Sequence, residues 1–168
     1  MIRKLISLLL KNKLTLAVAE SCTGGLISHK LTTVPGVSEV FREGIICYSN
    51  TSKTKRLGIK QSIIKKYGAV SYEVCSLMAK NITKSEKTDV GISITGIAGP
   101  LGNSQKKPVA PKSHHALRTH IGLVYIGINV KGRLTVYKYN FKGDRESIQQ
   151  KSARTALELL KSHLSFPA

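Results

Sequence analysis

A chain of 168 residues, 41% of them hydrophobic, is long enough to bury a core without cross-links and predicts a single domain over residues 1–168. Cys22, Cys47 and Cys75 are odd in number and form no C-x-x-C pair, so they signal neither a disulfide framework nor a thiolate zinc site and fit reduced thiols. A formal net charge of +18 calls for an anionic partner or a lysine-rich solvated surface; scattered basic residues and the lack of Trp argue against nucleic acid as the main ligand.

The opening MIRKLISLLLKNK carries an apolar run too short to span a bilayer and has no small-residue cleavage site, so no membrane association and a cytoplasmic location are expected. Ile2, Leu5, Ile6 and Leu9 instead fall on one face of an amphipathic helix. Leu14 and Leu16 to Ala19 read as a strand covered on both faces, and Leu26 to Leu31 continue as part of a helix over about 24–33. Between them stands Glu20-Ser21-Cys22-Thr23-Gly24-Gly25, a strand-to-helix turn of small hydroxyl, thiol and glycine residues. Ser21, Cys22 and Thr23 are expected near the first helical turn, where free N–H groups and the dipole favour an oxyanion or a phosphate; the alternative is an ordinary capped helix start. Cys22 is read as a packed thiol rather than a nucleophile, since a thiol needs a lowered pKa to react.

Val34-Pro35-Gly36 stops the helix, Val37 to Phe41 allow one short helical turn, and Glu43 to Tyr48 read as a second buried strand. Ser49 to Thr51 supply the N-cap of a short helix running through Leu57 to Gly58. Gln61 to Tyr67 is helical, Ser71 caps a longer helix, and Val74, Leu77, Met78, Asn81 and Ile82 form its core face. Asp89 to Thr95 is a third strand that runs into the glycine-rich Gly96-Ile97-Ala98-Gly99, which lacks a P-loop ending. The stretch 104–120 reads as an unusually long basic loop. Its His114, His115 and His120 have no carboxylate or thiolate at metal-ligand spacing, so no metal is expected. Gly122 to Val130 and Leu134 to Phe141 flank Lys131-Gly132-Arg133 as a hairpin. Asp144 then caps the last helix, with Ile148, Ala156, Leu157, Leu160 and Leu164 inward. This order predicts a three-layer α/β/α sandwich with a mixed sheet.

Six motifs in this order resemble one family: AESCTGG over 19–25, Tyr48-Ser49-Asn50 with Lys53, Gly68-Ala69-Val70-Ser71, SITGIAGP over 93–100, Lys107-Pro108-Val109, and Phe141-x-Gly143-Asp144-Arg145. They are similar to the CinA C-terminal domain family, whose stand-alone members include PncC-type nicotinamide-nucleotide amidases. The resemblance implies hydrolysis of the carboxamide of nicotinamide mononucleotide to nicotinate mononucleotide and ammonia. It places the catalytic serine on Ser21, the tyrosine on Tyr48 and the lysine on Lys53, and implies a homo-oligomer, dimer or trimer. No cofactor is called for.

The chemistry is feasible for those residue types. A serine needs a base and donors for the oxyanion, and a lysine serves as base once burial or a cationic neighbour, here Lys55 or Arg56, makes it neutral. Tyr48 would relay the proton or orient the leaving ammonia. Backbone N–H groups from Cys22 to Gly24 are the oxyanion candidates. Thr95, Gly96, Gly99, Lys107 and Arg145 are candidates for the phosphate, Arg145 suiting bidentate contact best.

Three departures from the family pattern stand out. Pro100-Leu101-Gly102-Asn103 replaces P-x-G-G, the stretch 110–121 is inserted after Val109, and Gln149 or Gln150 stands where an arginine is common. The rivals to the amidase reading are an inactive relative that binds a nucleotide or nucleic acid, and an amidase for a different nucleotide-like amide.

Overall fold

The computed structural model describes residues 1–99 and 121–165. Within them lie six α-helices and five strands in chain order: α1 (Ile2–Lys11), β1 (Leu16–Glu20), α2 (Leu26–Thr32), β2 (Phe41–Ile46), α3 (Asn50–Leu57), α4 (Gln61–Tyr67), α5 (Tyr72–Glu86), β3 (Val90–Gly96), β4 (Leu123–Val130), β5 (Arg133–Asn140) and α6 (Arg145–Ser165). The strands form one mixed sheet in the order β2-β1-β3-β4-β5. β1 pairs parallel with β2 and β3, and the β3–β4 and β4–β5 pairs are antiparallel.

Alternation along β1 explains the layers. Leu16 and Val18 join a core shared with Leu5, Leu9, Ile27 and Leu157 from α1, α2 and α6. Ala17 and Ala19 face the opposite way, toward Leu57, Ile64, Val74 and Met78 from α3 to α5. Helices therefore cover both faces, as the sequence predicts for an α/β/α sandwich. α5 lies especially close to the sheet. A Cβ at Gly91 would come within 2.7 Å of the Ala79 carbonyl, and one at Gly127 within 3.3 Å of Ala79 Cβ and 3.4 Å of the Cys75 carbonyl.

Local signals set several boundaries. Ser49 and Ser71 accept from the N–H groups of Ser52 and Val74, capping α3 and α5. Lys131 and Gly132 both have positive φ and close the β4–β5 hairpin as a two-residue turn. Two expectations need correction. β2 ends at Ile46 and alternates between half-buried and exposed residues, because it pairs with β1 alone at the sheet edge rather than inside the sheet. α2 begins only at Leu26, because Gly24 and Gly25 take positive φ values that break the helix; Ser21 to Thr23 thus lie in turns ahead of it. The long basic loop, its three histidines and the Pro100–Asn103 departure lie outside the described residues, as does all but Ile121 of the insertion.

The topology dictates where a site can form. From β1 the chain passes to β2 on one side and then to β3 on the other, so the carboxyl end of β1 is a switch point with crossovers leaving in opposite directions. Ser21 follows β1 at this point, Cys47 and Tyr48 follow β2, and Ile97 follows β3.

Candidate active site

Ser21 is held by its main chain. Its N–H donates to the Ile94 carbonyl at 3.1 Å, extending the β1–β3 ladder by one residue, and its carbonyl accepts from the Gly24 N–H at 3.2 Å. Among the described residues its side chain makes one hydrogen bond, with Lys53.

Lys53 enters from the facing layer. The Ser49 cap starts α3 at the end of β2, and Asn81 of α5 donates to the Leu57 carbonyl at 2.6 Å, which pins the far end of the helix. The Lys53 side chain is driven inward to 1% exposure, and its Nζ donates to Ser21 Oγ at 2.9 Å, to the Cys47 carbonyl at 2.9 Å and to the Tyr48 carbonyl at 3.3 Å. Three neutral acceptors and no carboxylate surround the amine, so burial pulls its pKa below the ordinary lysine value of 10.5. Lys55 and Arg56 do not contribute to that shift. A depressed amine beside a hydroxyl is the arrangement a Ser–Lys nucleophile requires.

The other expected residues divide into those the fold assembles and those it commits elsewhere. Ser21, Cys22, Tyr48, Lys53, Thr95, Gly96, Gly99 and Arg145 all line one cavity of about 290 Å³. Tyr48 is 60% exposed at its rim, and its hydroxyl accepts from Arg145 Nη2 at 2.9 Å. Arg145, at the start of α6, also donates through Nη1 to the Gly99 carbonyl at 2.7 Å. The guanidinium thus joins the ends of three segments across the mouth.

Thr95 does not present a free hydroxyl, since Oγ1 donates to the Ala69 carbonyl at 2.9 Å and ties β3 to the turn before α5. Gly96 is a point of close approach: a Cβ there would fall 2.8 Å from the Leu123 carbonyl and 3.1 Å from Cys22 Sγ. Lys107 lies outside the described residues.

Among the oxyanion candidates, the Gly24 N–H is spent on Ser21, while the N–H groups of Cys22 and Thr23 are not taken by another described residue. The Cys22 thiol is pushed up to about 12 by burial, which makes it an inert wall of the cavity.

Two residues escape the sequence reading. Glu20 is a charged residue at the end of a buried strand and accepts five hydrogen bonds from residues 23–28. The cue was a lone carboxylate in an apolar run ahead of a helix start. Gln149, read only as the loss of an arginine, donates from Nε2 to the Cys22 carbonyl at 2.8 Å and so braces the turn from α6. Among the described residues, no group of three or more His, Cys, Asp or Glu is placed to hold a metal ion, and no helix is long and apolar enough to cross a membrane.

Comparison with known proteins places this arrangement in a family. The chain is 48% identical over 159 residues to a CinA-like protein of Kosmotoga olearia and 47% identical over 154 residues to a relative from Clostridium beijerinckii. It covers 95% and 92% of itself in these matches but only 36% and 35% of the relatives, so it spans about a third of their length. The crystal structure of the competence/damage inducible protein CihA from Agrobacterium tumefaciens matches with a TM-score of 0.84 at 31% identity, covering 98% of this chain and 93% of that one. A competence or damage-inducible protein from Enterobacter asburiae gives 0.84 at 28% identity, over 97% and 95% of the two chains. The sequence model of the CinA C-terminal domain matches residues 1–164, and the chain belongs to that family.

Proposed function

We propose that the chain is a PncC-type amidase that hydrolyses the carboxamide of nicotinamide mononucleotide to nicotinate mononucleotide and ammonia. The observation that carries this reading is the 2.9 Å contact between a buried Lys53 amine and Ser21 Oγ. In the proposed reaction the neutral amine takes the Ser21 proton as Oγ attacks the carboxamide carbon. The tetrahedral oxyanion is received by the N–H groups of Cys22 and Thr23, which no other described residue takes. Lys53 then returns the proton to the departing nitrogen, and ammonia leaves an acyl ester on Ser21. Water, deprotonated by Lys53, attacks the ester, and nicotinate mononucleotide departs as Ser21 recovers its proton. Tyr48 assists from the rim, where its hydroxyl accepts from Arg145 and orients the departing ammonia without giving up its own proton.

Arg145 is assigned to the substrate phosphate. Two of its five N–H donors are engaged with Gly99 and Tyr48, and the other three have no partner among the described residues. The cavity lining contains no acidic side chain to repel one. Arg145→Ala is expected to raise KM for nicotinamide mononucleotide by about 10- to 100-fold, the range for a lost charge-assisted contact, with kcat changed far less. The same variant should lose its preference for the mononucleotide over the phosphate-free riboside. Steady-state kinetics on both compounds checks this, and an unchanged preference removes Arg145 from the phosphate site.

Purified protein incubated with nicotinamide mononucleotide and assayed for ammonia tests the whole reading. No ammonia, alongside a salt-dependent shift of polyanion on a gel, would instead support the binding-module alternative. Activity is expected to persist in chelator, because the Ser–Lys pair supplies both nucleophile and base. Loss in chelator with recovery on adding a divalent metal would contradict that mechanism.

A further inference from the structure

Glu20 closes β1 one residue before Ser21 and is fully buried. A carboxylate taken out of water costs several kcal/mol unless its lone pairs are filled. All five of its partners are donors. Oε2 accepts from Thr23 Oγ1 at 2.6 Å, from the Gly25 N–H at 3.1 Å and from the Ile27 N–H at 3.1 Å, and Oε1 accepts from the Ser28 N–H at 2.8 Å and Ser28 Oγ at 2.7 Å.

This network has two consequences for Ser21. The donors at the start of α2 are consumed by an internal carboxylate, so the helix start is not the seat of a substrate anion. The segment 20–25 also becomes a closed loop. At one end the Cys47 N–H donates to the Glu20 carbonyl at 2.7 Å and the Ser21 N–H to Ile94; at the other, the carboxylate of the same glutamate grips Thr23 and Gly25. Within that loop, Gln149 fixes the Cys22 carbonyl, and because the peptide unit is planar and trans, the Thr23 N–H must point the opposite way.

We propose that Glu20 is a positioning residue for the nucleophile: its carboxylate shapes the Ser21 turn and holds the Cys22 and Thr23 N–H groups toward the reacting carbonyl. This rests on the reading of Ser21 as the nucleophile. Glu20→Gln puts an amide N–H₂ against one set of donors, whereas Ser28→Ala removes one donor and leaves four.

The test compares wild type, Glu20→Gln and Ser28→Ala in three measurements. These are kcat and KM for ammonia release from nicotinamide mononucleotide, the rate at which a fluorophosphonate labels Ser21, and the melting temperature. Glu20→Gln is expected to lower kcat by at least about tenfold, with KM within about twofold, and to slow labelling in step. Ser28→Ala is expected to remain folded and lose about threefold in both rates. Both variants melting lower while kcat and labelling per folded molecule stay at wild-type values would make Glu20 structural and overturn the proposal. If wild type is labelled at Ser21 yet releases no ammonia, the substrate reading fails while the labelling comparison still decides the role of Glu20. A wild type neither labelled nor active overturns both.

Discussion

Ser21→Ala is expected to abolish ammonia release while leaving the fold intact. Removing the nucleophile of a serine hydrolase costs on the order of 10⁶-fold in kcat, and on the proposed mechanism the acyl intermediate forms on Ser21. The separation of activity from stability follows from how Ser21 is anchored. Its structural bonds run through the main chain to Ile94 and Gly24, and alanine keeps both. The deleted hydroxyl leaves Lys53 with the Cys47 and Tyr48 carbonyls as acceptors, so the amine is not orphaned. The stability change should stay near about 1 kcal/mol, the usual worth of one hydrogen bond. Ammonia assay and thermal melting of the purified variant check both halves. A wild-type rate would remove Ser21 from the mechanism, and a collapsed melting transition would mean the hydroxyl is architectural.

What could be read from the sequence follows from where each signal resides. The α5 face, the Ser49, Ser71 and Asp144 caps and the Lys131-Gly132 turn are local, decided by residues within a few positions of one another. The edge position of β2 is not local. Glu43 to Cys47 is a short apolar-rich run, and only the absence of a second neighbouring strand reveals that one side is unpaired. Lys53 makes the same point about the site. NTSKTKRL reads as a solvated polar helix, yet its fourth residue is among the most deeply buried side chains, because the end of β2 and the underside of α5 dictate which face turns inward. Ser21 and Lys53 are 32 residues apart, and no spacing rule connects them; the family resemblance links them where periodicity does not. Glu20 was missed because its partners are mostly main-chain N–H groups, which every sequence has and no motif advertises.

Lys53→Met is expected to lower kcat by roughly 10²- to 10⁴-fold, the contribution of a general base, without loss of stability. Methionine keeps most of the apolar stem and deletes an amine that is buried without a carboxylate. The pH dependence tests the amine as the base. Burial lowers the Lys53 pKa, so the neutral, proton-accepting form appears at lower pH than for a lysine in water. For wild type, kcat/KM should therefore rise with pH through an inflection below 10.5, and that inflection should vanish in Lys53→Met. Stability must move in the same direction. Between the folded and unfolded pKa values the unfolded chain binds more protons, so stability rises with pH in that window; the Lys53 contribution is complete above the unfolded value and lost as pH falls through the folded one. Lys53→Met removes this dependence and should melt at or above the wild-type temperature at neutral pH. A side chain whose removal steadies the fold while silencing the reaction is retained for its chemistry, whereas a variant with wild-type turnover and an unaltered pH profile would assign the Ser21 proton to another group.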